Sequence, residues 1–259
     1  MRVALGIEYD GTHFAGWQVQ PEQRTVQSCL EHAISVVADQ AVRTVAAGRT
    51  DSGVHALQQV VHFDTDASRD ERSWVLGLNT NLPSDINVVW ARPVDNDFSA
   101  RFSAVRRTYR YLILNRISRS AIHNNKMWWY FQKLDEQRMQ AAADILVGHH
   151  DFSAFRAKLC QAKSPMKTVE KITVTRHDDC IAIDVTAQSF LHHMVRNLVG
   201  VLVPIGEGRQ PVEWAEKVLQ SKQRGQGGIT SPPDGLYFVN VEYPQQYALP
   251  TVSAFPVVW

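Results

Sequence analysis

The chain opens on a mostly apolar segment from Val3 to Tyr9, interrupted by Glu8 and suited to a pleated sheet, and Asp10-Gly11-Thr12 closes it as a turn. The pattern predicts a strand. After Pro21 the spacing changes: Val26, Leu30, Ala33, Ile34 and Val37 recur at helical intervals behind Thr25, a residue type that caps helix N-termini. Strand-like segments follow at Val42 to Ala46 and Val54 to Phe63. The order then recurs. Thr108 to Leu114 predicts a strand, and Asp135 predicts the cap of a helix, with Leu134 and Met139 spaced for a hydrophobic staple. Lys171 to Thr175 and Cys180 to Val185 predict a hairpin joined through His177-Asp178-Asp179. Repeated order without a close sequence repeat predicts an α+β fold of two similar α/β sandwich (ferredoxin-like) halves. They span 1–104 and 105–259, with antiparallel sheets joined across a central cleft.

A last helix is expected to start near Ser189 and to run from Phe190 to Val203. On a helical wheel its apolar residues cover most of the circumference, leaving a narrow stripe of His192, His193, Arg196 and Gly200. Such a helix is mostly buried. Arg196 then either reaches water along its aliphatic stem or meets a carboxylate, because an unpaired buried charge is very costly.

Between the second and third predicted strands lies AAGRTDSGVHA, residues 46–56, where Arg49 and Asp51 stand between Gly48 and Gly53. Glycines permit backbone angles that allow Asp51 to be presented outward, yet Asp and Gly are also the commonest residues of plain turns. This stretch alone leaves both readings open.

With 259 residues, 44% of them hydrophobic, the chain is long enough for a substantial core in one large domain or two ordinary ones. The N-terminal residues lack the apolar run of a signal peptide, and no segment is apolar for long enough to span a bilayer, so a cytoplasmic protein without membrane association is expected. Cys29, Cys160 and Cys180 are odd in number and widely spaced, which suits neither a disulfide framework nor a zinc site. The adjacent pairs His149-His150 and His192-His193 point their side chains in different directions on a helix or strand, which does not suit a metal site.

The net charge of +1 conceals an uneven distribution, since no Asp or Glu occurs from Phe98 to Lys133. That stretch carries Arg101, Arg106, Arg107, Arg110, Arg116, Arg119, Lys126 and Lys133 among Phe102, Tyr109, Tyr111, Trp128, Trp129 and Tyr130. Cations for phosphates and aromatic faces for unstacked bases suit RNA, and a solvated strand face with core aromatics has the same composition.

GRTDSGVHA at 48–56, RTYRY at 107–111 and FLHHMVRN at 190–197, in that order, resemble successive motifs of the TruA family of tRNA pseudouridine synthases. The resemblance extends nearly end to end through YDGTHFAGWQVQP at 9–21, TVQSCLEHAI at 25–34, NLPSDI at 81–86, DFSAF at 151–155 and PPDGLYF at 232–238. It implies isomerisation of uridine to pseudouridine at positions 38 to 40 of the tRNA anticodon arm, without cofactor or metal, by a homodimer. By the same resemblance Asp51 is the nucleophile and Arg196 its ion-pair partner. Arg49 fills the space the target nucleotide leaves in the stack, Tyr109 stacks on the flipped uracil, and Arg69 and Arg101 contact tRNA. Ser99 departs from the pattern, where a His is expected. Whether Asp51 attacks the sugar or the base is left open. A catalytically silent tRNA-binding or RNA-folding module is the alternative, and it would need no Asp51. A phosphate-transferring enzyme does not fit, since no glycine-rich phosphate loop or acidic metal cluster accompanies GRTDSG.

Overall fold

A computed structural model describes residues 1–158 and 160–250, so the end of the expected second half, 251–259, lies outside the described residues. The chain forms two compact units: residues 1–105 together with the segment from Tyr237, and residues 106–236. Each combines antiparallel strands with helices, in keeping with the expected mixed α and β architecture.

In the first unit β1 (Arg2–Tyr9) lies between β4 (Ile86–Val94) and β3 (His55–Asp64), antiparallel to both, with β2 (Val45–Ala46) on β3. Val3, Ala4, Leu5 and Ile7 are fully buried, as the apolar residues from Val3 to Ile7 imply, and Glu8 is exposed. Helix α1 (Val26–Ala38) starts where Thr25 predicts. The Thr25 hydroxyl accepts the Ser28 N–H at 3.2 Å, Ser28 Oγ accepts the Thr25 N–H at 3.3 Å, and Val26, Leu30, Ala33 and Ile34 are buried. It packs on α2 (Glu71–Asn81), which buries Trp74 and Leu78 and lies against β4. Strand β10 (Leu236–Glu242), assigned by sequence to the C-terminal half, pairs in parallel with β3 through Tyr237 and Phe238 opposite His55 and Ala56.

In the second unit the strand order is β5 (Arg106–Asn115), β9 (Cys180–Ala187), β8 (Met166–His177), β7 (Gly148–Asp151), all antiparallel, with β6 (Trp128–Tyr130) parallel to β5. The β8–β9 hairpin turns through Asp178, in a left-handed conformation (φ +49), as the His-Asp-Asp connection implies. Asp135 caps α3 (Glu136–Ile145) by accepting the N–H groups of Gln137 and Arg138, and Leu134 and Met139 are buried at that end. Helix α3 packs on β8, on α4 (Met194–Gly206) and on α5 (Trp214–Ser221).

The start of α4 corrects the sequence expectation by several residues, since Phe190 to His193 precede the helix. His193 has φ +62 and cannot continue a right-handed turn, and the backbone of His192 bonds elsewhere, its C=O accepting the Ala157 N–H at 3.0 Å. His192 and His193 therefore do not belong to the helical stripe. Burial is as expected: within α4 only Arg196 and Pro204 are not fully buried. Among the described residues no helix is long and apolar enough to cross a membrane, and the three cysteines are free.

His62 on β3 is buried, edge-on to Phe98, and its Nδ1 accepts the Ala100 N–H at 3.0 Å. Burial and the Arg2 guanidinium, opposed by Asp64, push its pKa down from 6.5 to about 4. The unfolded chain therefore takes up a proton that the folded chain refuses between those values, and stability, complete above pH 6.5, falls as pH drops through the window. Replacing His62 by Gln is expected to flatten the acid limb of melting temperature against pH, followed by calorimetry. An equally steep limb in the variant would assign it to other groups.

Candidate active site

The GRTDSG loop hangs on backbone and side-chain partners supplied by its own unit. Its approach is fixed by the Ala47 N–H to Val60 C=O bond (2.8 Å) and by buried Gln59, whose amide donates to the Gly48 C=O (2.6 Å) and accepts the Gly48 N–H (3.4 Å). Thr50 Oγ1 meets the Tyr9 hydroxyl at 2.8 Å. Burial pushes that phenol up to about 12, so it stays protonated. Beyond Asp51, the Gly53 N–H and the Ser52 hydroxyl both donate to the Phe14 C=O, at 3.3 and 3.2 Å, and the turn closes with Val54 N–H to Asp51 C=O at 3.2 Å. Of the two loop glycines, Gly53 takes a left-handed backbone (φ +78), while Gly48 does not and is gripped by Gln59 instead.

Gly16, from the FAGW segment, backs the loop. Its φ is +96, the Thr50 C=O accepts the neighbouring Trp17 N–H at 3.0 Å, and a Cβ at 16 would lie 2.8 Å from Thr50 O and 3.0 Å from Asp51 C. Asp51 is half-buried on this frame and Arg49 is exposed. His55 was given no role by sequence. It is buried, with Nδ1 3.0 Å from the Gly11 N–H and 3.1 Å from Asp10 Oδ1, and its ring stacks on Tyr237 at 4.6 Å. It thus ties the YDGT turn to the strand leaving the loop; the signal was its place within the quoted GRTDSGVHA motif.

In the second unit the RTYRY strand sorts its side chains by face. Arg110 makes a two-pronged pair with Asp184 at 2.7 and 2.8 Å, directly across the ladder, and Thr108 meets Thr186 at 2.9 Å. Tyr109 and Tyr111 point the other way. Tyr109 is buried, edge-on to Phe190 at 5.0 Å, and Tyr111 donates its hydroxyl to Pro232 C=O at 2.8 Å. Burial holds the Tyr111 phenol well above its ordinary range, against the Arg196 charge.

Arg196 is half-buried on α4, and its Nε donates to the Ser231 C=O at 2.7 Å while the Ser231 N–H reaches the Arg196 C=O at 3.3 Å. The 228–231 segment can lie this close because Gly200 has no side chain: a Cβ there would sit 1.8 Å from Ile229 O. Pro204 has no N–H for the Gly200 C=O, against which Gly228 lies. Asn197, another residue without a role from sequence, is buried and collects Phe155 C=O, Thr230 and Arg224 around one amide. It joins the motifs at 151–155 and 190–197 to the segment that holds Arg196.

The acid-free stretch is less cationic in space than in sequence. Arg106, Arg110 and Arg116 face Glu170, Asp184 and Asp179 from β8, β9 and their turn. Arg69 is exposed beside Asp70, which caps α2, and donates to Ser68 C=O at 2.9 Å. Arg101 is exposed too, its guanidinium 5.1 Å from the centre of the Phe102 ring.

The first unit thus presents a half-buried Asp on a firmly backed strand-to-strand loop, and the second holds Tyr109 and Arg196 by contacts far apart in the chain. A profile of the tRNA pseudouridine synthase family matches residues 6–103 and 142–244. The chain is 55% identical over 259 residues, the whole of both sequences, to tRNA pseudouridine synthase A of Nitrosococcus oceani. It is 52% identical to the protein of that name from Alcanivorax borkumensis over 99% of this chain and 96% of the relative. The one from Methylococcus capsulatus is 49% identical over 98% and 94%. The chain belongs to the tRNA pseudouridine synthase family.

Gly16→Ala is expected to cost about 1–3 kcal/mol, the strain of a side chain at this φ together with its collision with the Thr50 and Asp51 backbone. Urea unfolding measures it, and an unmoved midpoint would mean that the FAGW segment does not brace the loop.

Proposed function

We propose that the protein converts uridine to pseudouridine at positions 38 to 40 of the tRNA anticodon arm, with Asp51 as the nucleophile and with neither cofactor nor metal. The observation that carries this is the Asp51 loop, whose backbone is bonded on both sides of the carboxylate, so that little ordering remains to be done when substrate arrives. The reaction is an isomerisation: the bond from ribose C1′ to N1 breaks, the uracil turns, C1′ bonds to C5, and C5 loses a proton while N1 gains one. A carboxylate that adds covalently, to sugar or base, and then leaves unchanged completes the cycle. Reaching a paired or stacked uridine requires flipping it out, and exposed Arg49 on the same loop is suited to the vacated space. Tyr109 and Arg196 keep the roles that the family resemblance implies, the one stacking on uracil and the other pairing with the nucleophile. Arg69 and Arg101 are taken as phosphate contacts, and the working form as a cytoplasmic homodimer.

The test is incubation with unmodified tRNA and no added metal, followed by pseudouridine assay at each position. Asp51→Asn is expected to lower turnover by several powers of ten, on the order of other nucleophile deletions, with tRNA affinity little changed. Substantial residual product in the variant would remove Asp51 from the covalent step.

Tyr109→Phe keeps the aromatic face and removes the hydroxyl. Affinity is expected to stay within about threefold, while single-turnover product formation slows markedly if the hydroxyl relays the C5 proton. A parental single-turnover rate would leave that proton to water or to Asp51.

A further inference from the structure

The loop from Phe98 to Ser103 has a backbone held unusually firmly for a segment with so exposed a tip. Phe98 and Ala100 are fully buried, whereas Arg101 is exposed and Phe102 is 80% exposed. Both backbone groups of Ala100 are taken by side chains from distant parts of the unit: the N–H by His62 Nδ1 at 3.0 Å, the C=O by the Tyr243 hydroxyl at 2.6 Å. Phe98 sits among His62, Tyr243 and Tyr247, with ring centres 5.0–5.9 Å away, and its C=O accepts from Arg2 at 2.7 Å. Ser99, where the resemblance leads one to expect His, ties the tip to the base. Its hydroxyl accepts the Phe102 N–H at 3.3 Å, its C=O accepts the Ser103 N–H at 2.9 Å, and its own N–H reaches Ser103 Oγ at 2.9 Å.

A single apolar residue in water is ordinary. A phenyl ring held out by a backbone pinned from three other segments, with a guanidinium beside it, is the arrangement of a preformed contact, in which the ordering has been done before the ligand arrives. The ligand chemistry follows from the pair. A cation and an aromatic face together suit a nucleotide. We propose that this loop is a preorganised tRNA contact in which the Phe102 ring stacks on a base or ribose while Arg101 takes the adjoining phosphate. The identity of the ligand rests on the function proposed above; the role of Phe102 is additional to it.

Parent, Phe102→Ala, Phe102→Trp and Arg101→Ala proteins are compared for binding of unmodified tRNA over a range of salt concentrations, and for steady-state pseudouridine formation. Phe102→Ala is expected to weaken binding by roughly 5- to 100-fold with an unchanged salt slope, because stacking releases no counterions, and to raise KM while kcat holds. Phe102→Trp restores affinity, and Arg101→Ala lowers the slope of log affinity against log salt by about one. Tyr243→Phe, which releases the Ala100 carbonyl, is expected to weaken binding in the parent and not in the Phe102→Ala background, a coupling that general destabilisation would not produce. Parental affinity and KM in Phe102→Ala overturn the proposal, and so does a change of sedimentation with RNA binding intact, which would make the ring a contact between protein chains. A parent that binds tRNA yet forms no pseudouridine overturns the functional reading alone, and the binding series still decides the role of Phe102.

Discussion

A carboxylate proposed as a nucleophile on a short loop needs a backbone that does not move, and a short loop cannot supply that from its own hydrogen bonds. The GRTDSG segment meets the constraint by borrowing. Tyr9 reaches it from β1 and Gln59 from β3, and Phe14 and Trp17 offer backbone groups from the segment that leads into α1. The approach of that segment depends on Gly16, whose missing side chain leaves room for the Thr50 and Asp51 backbone. Strand β1, helix α1 and the loop are thus parts of one construction, and what β1 contributes by being buried on both faces is a fixed place from which Tyr9 can reach Thr50.

The second unit solves a similar problem around a cation. Arg196 stands on a helix that is buried almost all round, and its Nε donates to a carbonyl of an irregular segment. That segment is laid on α4 by glycine at the crossing, at Gly200 and Gly228, and its far end is held by Tyr111 at Pro232. A backbone carbonyl accepts from a guanidinium without itself supplying a counter-charge, so this bond orients the side chain.

Charge along the chain and charge in space are different quantities. The acid-free run looks uniformly basic, but strand pairing sets Arg110 opposite Asp184, and the neighbouring strand brings Glu170 to Arg106. These arginines are used within the fold, whereas Arg49 and Arg101 are displayed on loops.

The amino-acid sequence by itself determined the features written within a few residues of one another. The caps at Thr25 and Asp135, the helical spacing behind them and the tight turn at Asp178 were legible because hydrogen bonds to the third residue on, and side chains three or four apart, are set by local order. Asp51 was legible as a candidate because a Gly-bounded Asp beside an Arg is chemically suggestive, and the family motifs settled which of two readings to carry forward. Only tertiary structure decided where α4 begins, since the left-handed turn at His193 accompanies bonds from Ala157 and Cys160 to the His192 backbone, and no wheel registers a bond across thirty residues. Tertiary structure alone decided that β10 runs parallel beside β3, that Asn197 and His55 organise the motifs around them, and that three of the arginines are already paired. Each of these depends on groups far apart in the chain, and their partners exist only once strand register and backbone crossings have been set by packing.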